Sequence, residues 1–367
     1  MTNRLYSLDV FRGITVAAMI LVNNPGSWNS VYPPLLHAKW HGCTPTDLIF
    51  PFFLFIVGVS IHFAYQPKLN EGLTKKNVSK ILRRTVIIFL LGMMLALVPT
   101  FNFSSVRIPG VLQRISLVFL FCSLIYFKTN WLSQIRVALV LLVGYFVLMT
   151  MVPVPGVGEA NLEPETNIGA WLDRLLLEGH LWSQSKTWDS EGIVSTIPAI
   201  ATGLIGMLTG QLFSRFEQPA EKVTWLFFTG ALLIVAGLAW GLIFPINKAL
   251  WTSSYVLYTG GIAMQFLAAC YWLIDVQGVK KWSTPFIYYG MNAIFVFVAS
   301  GLLVKALTLI KIGEGENELS LWSYLYQNLY ASWLTPMNAS LGFAFTLILF
   351  FLVILWQMYQ RKIFVKV

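Results

Sequence analysis

Residues 46–66 read TDLIFPFFLFIVGVSIHFAYQ, a run in which only Asp47, His62 and Tyr65 are ionisable. About twenty consecutive apolar residues is the length an α-helix needs to cross a hydrocarbon core. Runs of similar character recur at 9–24, 81–99, 109–127, 132–152, 192–214, 223–244, 254–275, 284–309 and 339–359, which makes about ten spans. Lipid offers the backbone no hydrogen-bonding partner, so only helices or closed barrels can span it, and a barrel would show short alternating segments instead. The expected fold class is all-α, a polytopic membrane helix bundle forming a single integral domain over residues 1–367.

Composition excludes a soluble globule. Of 367 residues 57% are hydrophobic and 11% charged, with a mean hydropathy of +0.69, against roughly 25% charged in soluble domains. The formal charge of +9 sits mainly in short connections between apolar runs, a topology signal rather than a nucleic-acid footprint, and no nucleic-acid partner is expected. The first run, Val10 to Val22, carries Arg12 and lacks a small-residue cleavage site, so it reads as a retained helix rather than a leader. Cys43, Cys122 and Cys270 are scattered without a CxxC spacing, which suggests neither a disulfide framework nor a metal site.

Loop charge sets the expected orientation. Lys68, Lys75, Lys76, Lys80, Arg83 and Arg84 fall between the second and third spans; Lys128 and Arg136, Lys280 and Lys281, and Arg361, Lys362 and Lys366 mark further cytoplasmic positions. Both termini are then cytoplasmic. The opposite side receives loop 25–45, the acidic loop 153–191 with Glu159, Glu163, Glu165, Asp173 and Glu178, and loop 310–338 with Glu314, Glu316 and Glu318. Loop 153–191 also holds Trp171, His180, Trp182 and Trp188, and reads as a cap or an interfacial segment.

This topology puts His37 and His41 in the first external loop and Asp47 at the outer entrance of the second span. Thr44-Pro45-Thr46-Asp47 also fits a plain helix start, with Thr44 as N-cap, Pro45 in the first turn and Asp47 completing a capping box. Asn23 and Asn24 end the first span at the same outer level. Imidazole, carboxylate and amide from two adjacent helices and their joining loop are the parts of acyl-transfer chemistry: a base near neutral pKa, a group that orients it, and a donor for a developing oxyanion. The residues leave open which histidine serves.

Other polar islands lie where lipid is expected. Asp9 and Arg12 are three apart on one helical face, which also fits a structural ion pair. Gln113 and Arg114 enter the fourth span, Asp189 and Glu191 precede the sixth, Asn247, Lys248 and Trp251 precede the eighth, and Asn292 lies inside the ninth. Singly each fits a cap or helix glue; together they describe a polar chamber in a bundle.

Seven segments in order, SLDVFRG, LVNNPG, HAKWHGCTPTDLIFPFFLFIVG, GVLQRIS, WDSEGIVSTIPAI, PINKALWTSSYVLYTGG and PFIYYGMNAIFVF, resemble the transmembrane heparan-α-glucosaminide N-acetyltransferases and their bacterial relatives. The first helix begins close to Met1, so the large amino-terminal extra-membrane domain of the animal enzyme is expected to be absent. The resemblance implies an enzyme of the bacterial cytoplasmic membrane that takes acetyl from cytoplasmic acetyl-CoA and places it on the amino group of a glucosamine-type sugar across the membrane. It implies His37, opening the HAxW pattern, as the active-site histidine, with Asp47 and Asn23 as its catalytic company; His41 falls where the animal enzyme has asparagine. Asp9, Arg12, Trp40, Gln113, Arg114, Asp189, Glu191, Asn247, Lys248, Trp251 and Asn292 are the expected binding residues, and Arg83, Arg84 or Arg114 the expected partners of the donor's phosphates. Membrane lipids surround such a protein, and a homodimer is left open. So are O-acylation of an envelope glycan and transport of a sugar or lipid-linked intermediate.

Overall fold

A computed structural model describes residues 5–313 and 318–365. Along the chain run α1 Tyr6–Asn23, α2 Ile49–Tyr65, α3 Lys75–Leu97, α4 Val111–Lys128, α5 Trp131–Met151, α6 Ile168–Leu177, α7 Thr196–Arg215, α8 Pro219–Gly241, α9 Ser253–Tyr271, α10 Thr284–Met291, α11 Ala293–Leu309, α12 Leu321–Tyr326 and α13 Pro336–Gln360. The strand content among the described residues is one two-residue pair, β1 Lys311–Ile312 against β2 Leu319–Ser320. The all-α expectation holds.

Eight helices among the described residues are long and apolar enough to cross a membrane, and a ninth span results if α10 and α11, bent by 73° at Asn292, count as one. The remaining expected span, 81–99, coincides with α3, whose first half carries Lys75, Lys76, Lys80, Arg83 and Arg84. Glu314, Glu316 and Lys366, which entered the orientation argument, lie outside the described residues.

The helix ends follow local chemistry. Thr74, Asn130 and Asn167 accept backbone N–H groups at the starts of α3, α5 and α6, while Pro219 and Pro336 occupy first-turn positions where no intrahelical N–H is needed.

The chain divides into two compact units. The first comprises the chain up to His37, Thr44–Ile49 and the part from Leu273 onward. Here α1 crosses α10 backbone to backbone: a Cβ on Gly13 would lie 1.7 Å from Phe286 O, and one on Gly290 would lie 2.0 Å from Asp9 O. Small residues permit such approach in a membrane bundle. Gly26 N–H donates to Ser340 O at the start of α13, which fastens the loop after α1.

The second unit holds Ala38–Cys43 and Phe50–Trp272. Its α2 and α7 meet at Gly58, Gly203 and Gly206, where a Cβ on Gly206 would lie 2.0 Å from Phe55 O. At one end of this unit lie the start of α4, the latter part of α5, the start of α7 and the start of α9, tied by Arg114 to Gly192 and by Tyr145 to Leu250. The opposite end gathers the start of α5 and the end of α7, tied by Gln211 to Gln134. Loop 153–191 packs onto the first end: Val154 and Ile168 are buried with Tyr145, Met149, Val194, Phe244 and Leu250, with Trp171 and Leu162 against them.

Candidate functional site

Two short 3-10 turns, Pro33–Leu35 and Pro45–Leu48, build the candidate site of the first unit. Pro45 opens the second turn, and the Thr44 hydroxyl donates to Leu36 O at 2.7 Å while Thr46 reaches Pro34 O at 3.3 Å. The two turns are thereby fastened together.

Asp47 is the pivot. Its Oδ2 accepts the Thr44 N–H at 2.9 Å, which completes the capping box, and its Oδ1 lies 2.6 Å from His37 Nδ1. One carboxylate oxygen thus serves the helix cap and the other faces the His37 ring. The Asp47 side chain is 1% exposed and that of His37 47%. A buried, ionised carboxylate accepts hydrogen bonds and cannot donate them, so the ring proton belongs on Nδ1 and the lone pair on Nε2. The half-exposed ring thus keeps one edge accessible, and an imidazole held in this way is able to take up a proton.

Asn23 is the last residue of α1 and is exposed. Among the described residues no hydrogen bond joins it to His37 or Asp47, whereas Asn24 is buried and donates to Ile20 O. Asp9 and Arg12 form the expected ion pair at 2.9 Å, and Arg12 also reaches Gly290 O. Fourteen residues of α1 put Asp9 about 21 Å from Asn23, so the pair sits at the other end of this helix. Asn292 donates to Ile363 O at 3.2 Å and accepts from Val365 N–H at 2.8 Å. The amide that had to find partners in the bundle finds them in the segment after α13.

In the second unit, one end collects Trp40, Gln113, Arg114, Asp189, Glu191, Asn247, Lys248 and Trp251. Arg114 is 1% exposed, donates through Nη2 to Gly192 O and Ser195 Oγ, and stacks its guanidinium 5.0 Å from the centre of the Trp251 ring. Its Nε and Nη1 are buried without a hydrogen-bond acceptor. Gln113 is wedged where a Cβ on Gly92 or Gly110 would stand, with Nε2 3.5 Å from Met93 Sδ. Of the alternative phosphate partners, Arg114 and the Arg83–Arg84 pair lie at different levels, because α3 and α4 run antiparallel. Arg114 lies at the Gly92 end of α3, eight residues or about 12 Å along the axis from Arg84.

Trp251 is fully buried in a left-handed backbone conformation, φ 54°, with Nε1 donating to Thr202. A bulky residue in that region is strained and persists only where its surroundings dictate it. Asn247 supplies part of that framework: its Oδ1 accepts Leu250 N–H, its O accepts Thr252 N–H, and its Nδ2 lies 3.3 Å from His41 Nδ1. Gly42 N–H donates to Ile246 O, so the segment carrying His41 is stitched to this turn.

Sequence reasoning passed over Arg107. It binds Asp189 with two parallel hydrogen bonds, 2.8 and 2.5 Å, and also contacts Glu191. The signal lay in VRIPG, an arginine just outside a span in a chain whose TWDSEG segment also had carboxylates just outside a span. Burial alone lowers an arginine's pKa, but the two carboxylates outweigh it and hold Arg107 above its usual range. Burial raises the Glu191 pKa, and Arg107, Arg114, the Ser190 hydroxyl and Lys248 more than reverse this, leaving it below the usual carboxylate range. Asp173 on α6 has no such cluster of cations. Burial pushes it up to about 6 despite the Ile193 N–H it accepts, with nearby Asp189 adding to the rise. Trp40 donates to Leu162 O and stands edge-on to Trp188, itself edge-on to Trp182. His62, also passed over, is buried with a hydroxyl at each ring nitrogen, from Tyr126 and Ser214 at 2.8 Å.

The chain spans about half the length of the curated relatives it matches. It is 29% identical to heparan-alpha-glucosaminide N-acetyltransferase of Mus musculus over 359 residues, covering 82% of this chain and 54% of that protein. With the Homo sapiens protein of the same name it shares 30% identity over 353 residues, 80% and 52% of the two chains. A family model described as heparan-alpha-glucosaminide N-acetyltransferase, catalytic, matches residues 4–244, an interval that contains the whole Asp47–His37 pair and the Arg107–Asp189–Glu191 cluster. The chain belongs to the heparan-alpha-glucosaminide N-acetyltransferase catalytic family.

Proposed function

We propose that this protein is a transmembrane acetyltransferase of the bacterial cytoplasmic membrane, which moves acetyl from acetyl-CoA to the amino group of a glucosamine-type sugar, with His37 as general base. The observation that carries the reading is the 2.6 Å contact between His37 Nδ1 and the buried Asp47, whose other oxygen is held by the Thr44 N–H. The acceptor amine attacks the thioester carbonyl while His37 Nε2 takes the proton the nitrogen loses; the C–S bond then breaks, and the proton goes to the departing thiolate. Asp47 keeps the ring in the productive tautomer and stabilises the imidazolium that forms. Asn23, exposed at the end of α1, is the proposed amide donor to the tetrahedral oxyanion.

In the second unit the two buried N–H groups of Arg114 that lack an acceptor support a role in holding an anionic or carbonyl oxygen of a substrate. Asp189, Glu191, Trp40 and Trp251 are proposed to line the acceptor or cofactor pocket of this unit, with Arg107 holding the two carboxylates in place.

The test is mass spectrometry of glucosamine and of a sugar carrying hydroxyls alone after incubation with acetyl-CoA and detergent-purified protein. Acetylated glucosamine is expected, with a loss of about 10²–10⁴ in rate for His37→Ala and wild-type unfolding temperature. Full activity in that variant refutes the assignment of His37. Modification of the hydroxyl-only sugar alone replaces N-transfer by O-transfer, and uptake into liposomes with no acetylation replaces both by transport. Quenching the protein after labelled acetyl-CoA without acceptor is expected to leave no covalent label.

A further inference from the structure

The second unit contains an apolar slot of about 670 Å³ that none of the candidate site residues enters. Helices α7 and α9 floor it, and α5 and α8 form its rims. Leu139 on one rim and Leu232 on the other are about half exposed, so the slot opens along the side of the helices rather than at a loop. From Trp131 to Leu142, both lining residues on α5, is about 16 Å of helix.

Its lining changes character at one end. There Gln211 donates to Gln134 at 2.6 Å, and the Arg215 guanidinium sits 5.9 Å from the centre of the Trp131 ring. Among the described residues no ion pair engages Arg215. Against Glu217 and Glu221 the same helix ends set Lys128, Arg136, Arg215 and Lys222. Trp131 marks this end as the level of the membrane interface, as does Trp225 stacked on Phe216 with ring planes 8° apart.

We propose that the slot binds one anionic phospholipid, with an acyl chain lying between α5 and α8 and the headgroup phosphate against Arg215 and the Gln211–Gln134 amides. The apolar walls exclude a polar occupant, and Arg215, which lines the mouth, selects the sign of the headgroup. A basic pocket between membrane helices at the interface is the usual form of such recognition, and the volume lies within the range of small-molecule sites.

The experiment is native mass spectrometry of the full chain in mild detergent, offered phosphatidylglycerol and phosphatidylcholine with identical acyl chains. One phosphatidylglycerol per chain is expected to remain bound, favoured about fivefold over phosphatidylcholine, the contribution of one basic residue near a headgroup. Arg215→Ala is expected to remove that preference while some lipid is kept. Leu139→Trp is expected to lose both lipids, since the indole fills the slot from its rim; Leu232→Trp at the other rim serves if that variant is not monodisperse. Equal retention of the two lipids by the wild type overturns the proposal, as does unchanged retention in the rim variants. Displacement of the lipid by added coenzyme A assigns the slot to the donor instead, and a dimer that excludes lipid assigns it to a second copy of the chain.

Discussion

At the scale of single residues, Asp47 shows how one side chain carries a structural and a chemical duty. Asn at position 47 keeps an oxygen for the Thr44 N–H, so the helix start survives. Its amide then donates to His37 Nδ1, which moves the ring proton to Nε2 and removes the base. Asp47→Asn is accordingly expected to lower kcat by about 10²–10⁴ with little change in unfolding temperature, whereas Asp47→Ala also loses the cap, about 1 kcal/mol. Comparing kcat and thermal unfolding across the two variants checks this.

Arg107 and Asp173 give two further residue-level outcomes. Arg107→Ala leaves Asp189 and Glu191 as buried carboxylates without their closest cation, and is expected to destabilise the fold by about 3–5 kcal/mol, read as an early transition in detergent melts. Asp173 has a folded pKa of about 6 against an ordinary value of 3.8. The folded state thus binds its proton more tightly than the unfolded chain does. The sign follows: its contribution to stability is full below about pH 4, falls as pH rises toward 6, and is constant above. Asp173→Asn retains an acceptor for Ile193 N–H and does not titrate. Its stability relative to wild type is therefore expected to rise by about 3 kcal/mol between pH 4 and 6 and then level off, measured by melts across that range.

At the scale of elements, helix crossings set the limits. α2 and α7 approach until a Cβ on Gly206 would meet Phe55 O at 2.0 Å, a backbone atom that cannot swing away. Gly206→Val is expected to push the two helices apart, at a cost of about 1–3 kcal/mol or more, visible as a lowered melting temperature. Gly144, with nothing within 4 Å, is the control at which valine is expected to be tolerated. The existence and type of the long helices were legible because lipid imposes their length and a continuous apolar pattern. The 73° break at Asn292 was not, since YYGMNAI reads as one uninterrupted run. It became visible only when the amide proved to be bonded to residues 363 and 365.

At the scale of the whole molecule, the inside-positive reading predicts that Lys76 and Glu159 face opposite compartments. Single cysteines at the two positions, in a background with Cys43, Cys122 and Cys270 replaced by alanine, are expected to react with a membrane-impermeant maleimide from opposite sides of oriented vesicles. Labelling from the same side refutes the orientation.

What the amino-acid order determined by itself was everything local or periodic. Apolar runs of bilayer length, the basic connections between them and the Thr44–Asp47 start all act through neighbours in the chain, so they can be read along it. Thr44 and Asp47 announced a cap at a spacing of three, whereas the choice of His37 over His41 came from the family resemblance. Tertiary structure alone decided which distant polar groups meet. It joined Arg107 to Asp189 across 82 residues, left Arg114 with buried N–H groups lacking an acceptor, and moved Asp9, Arg12 and Asn292 away from the Asn23 end of α1. The physical reason is that a buried charge or amide is tolerated only beside a complement, and no one-dimensional pattern names the complement until the helices pack.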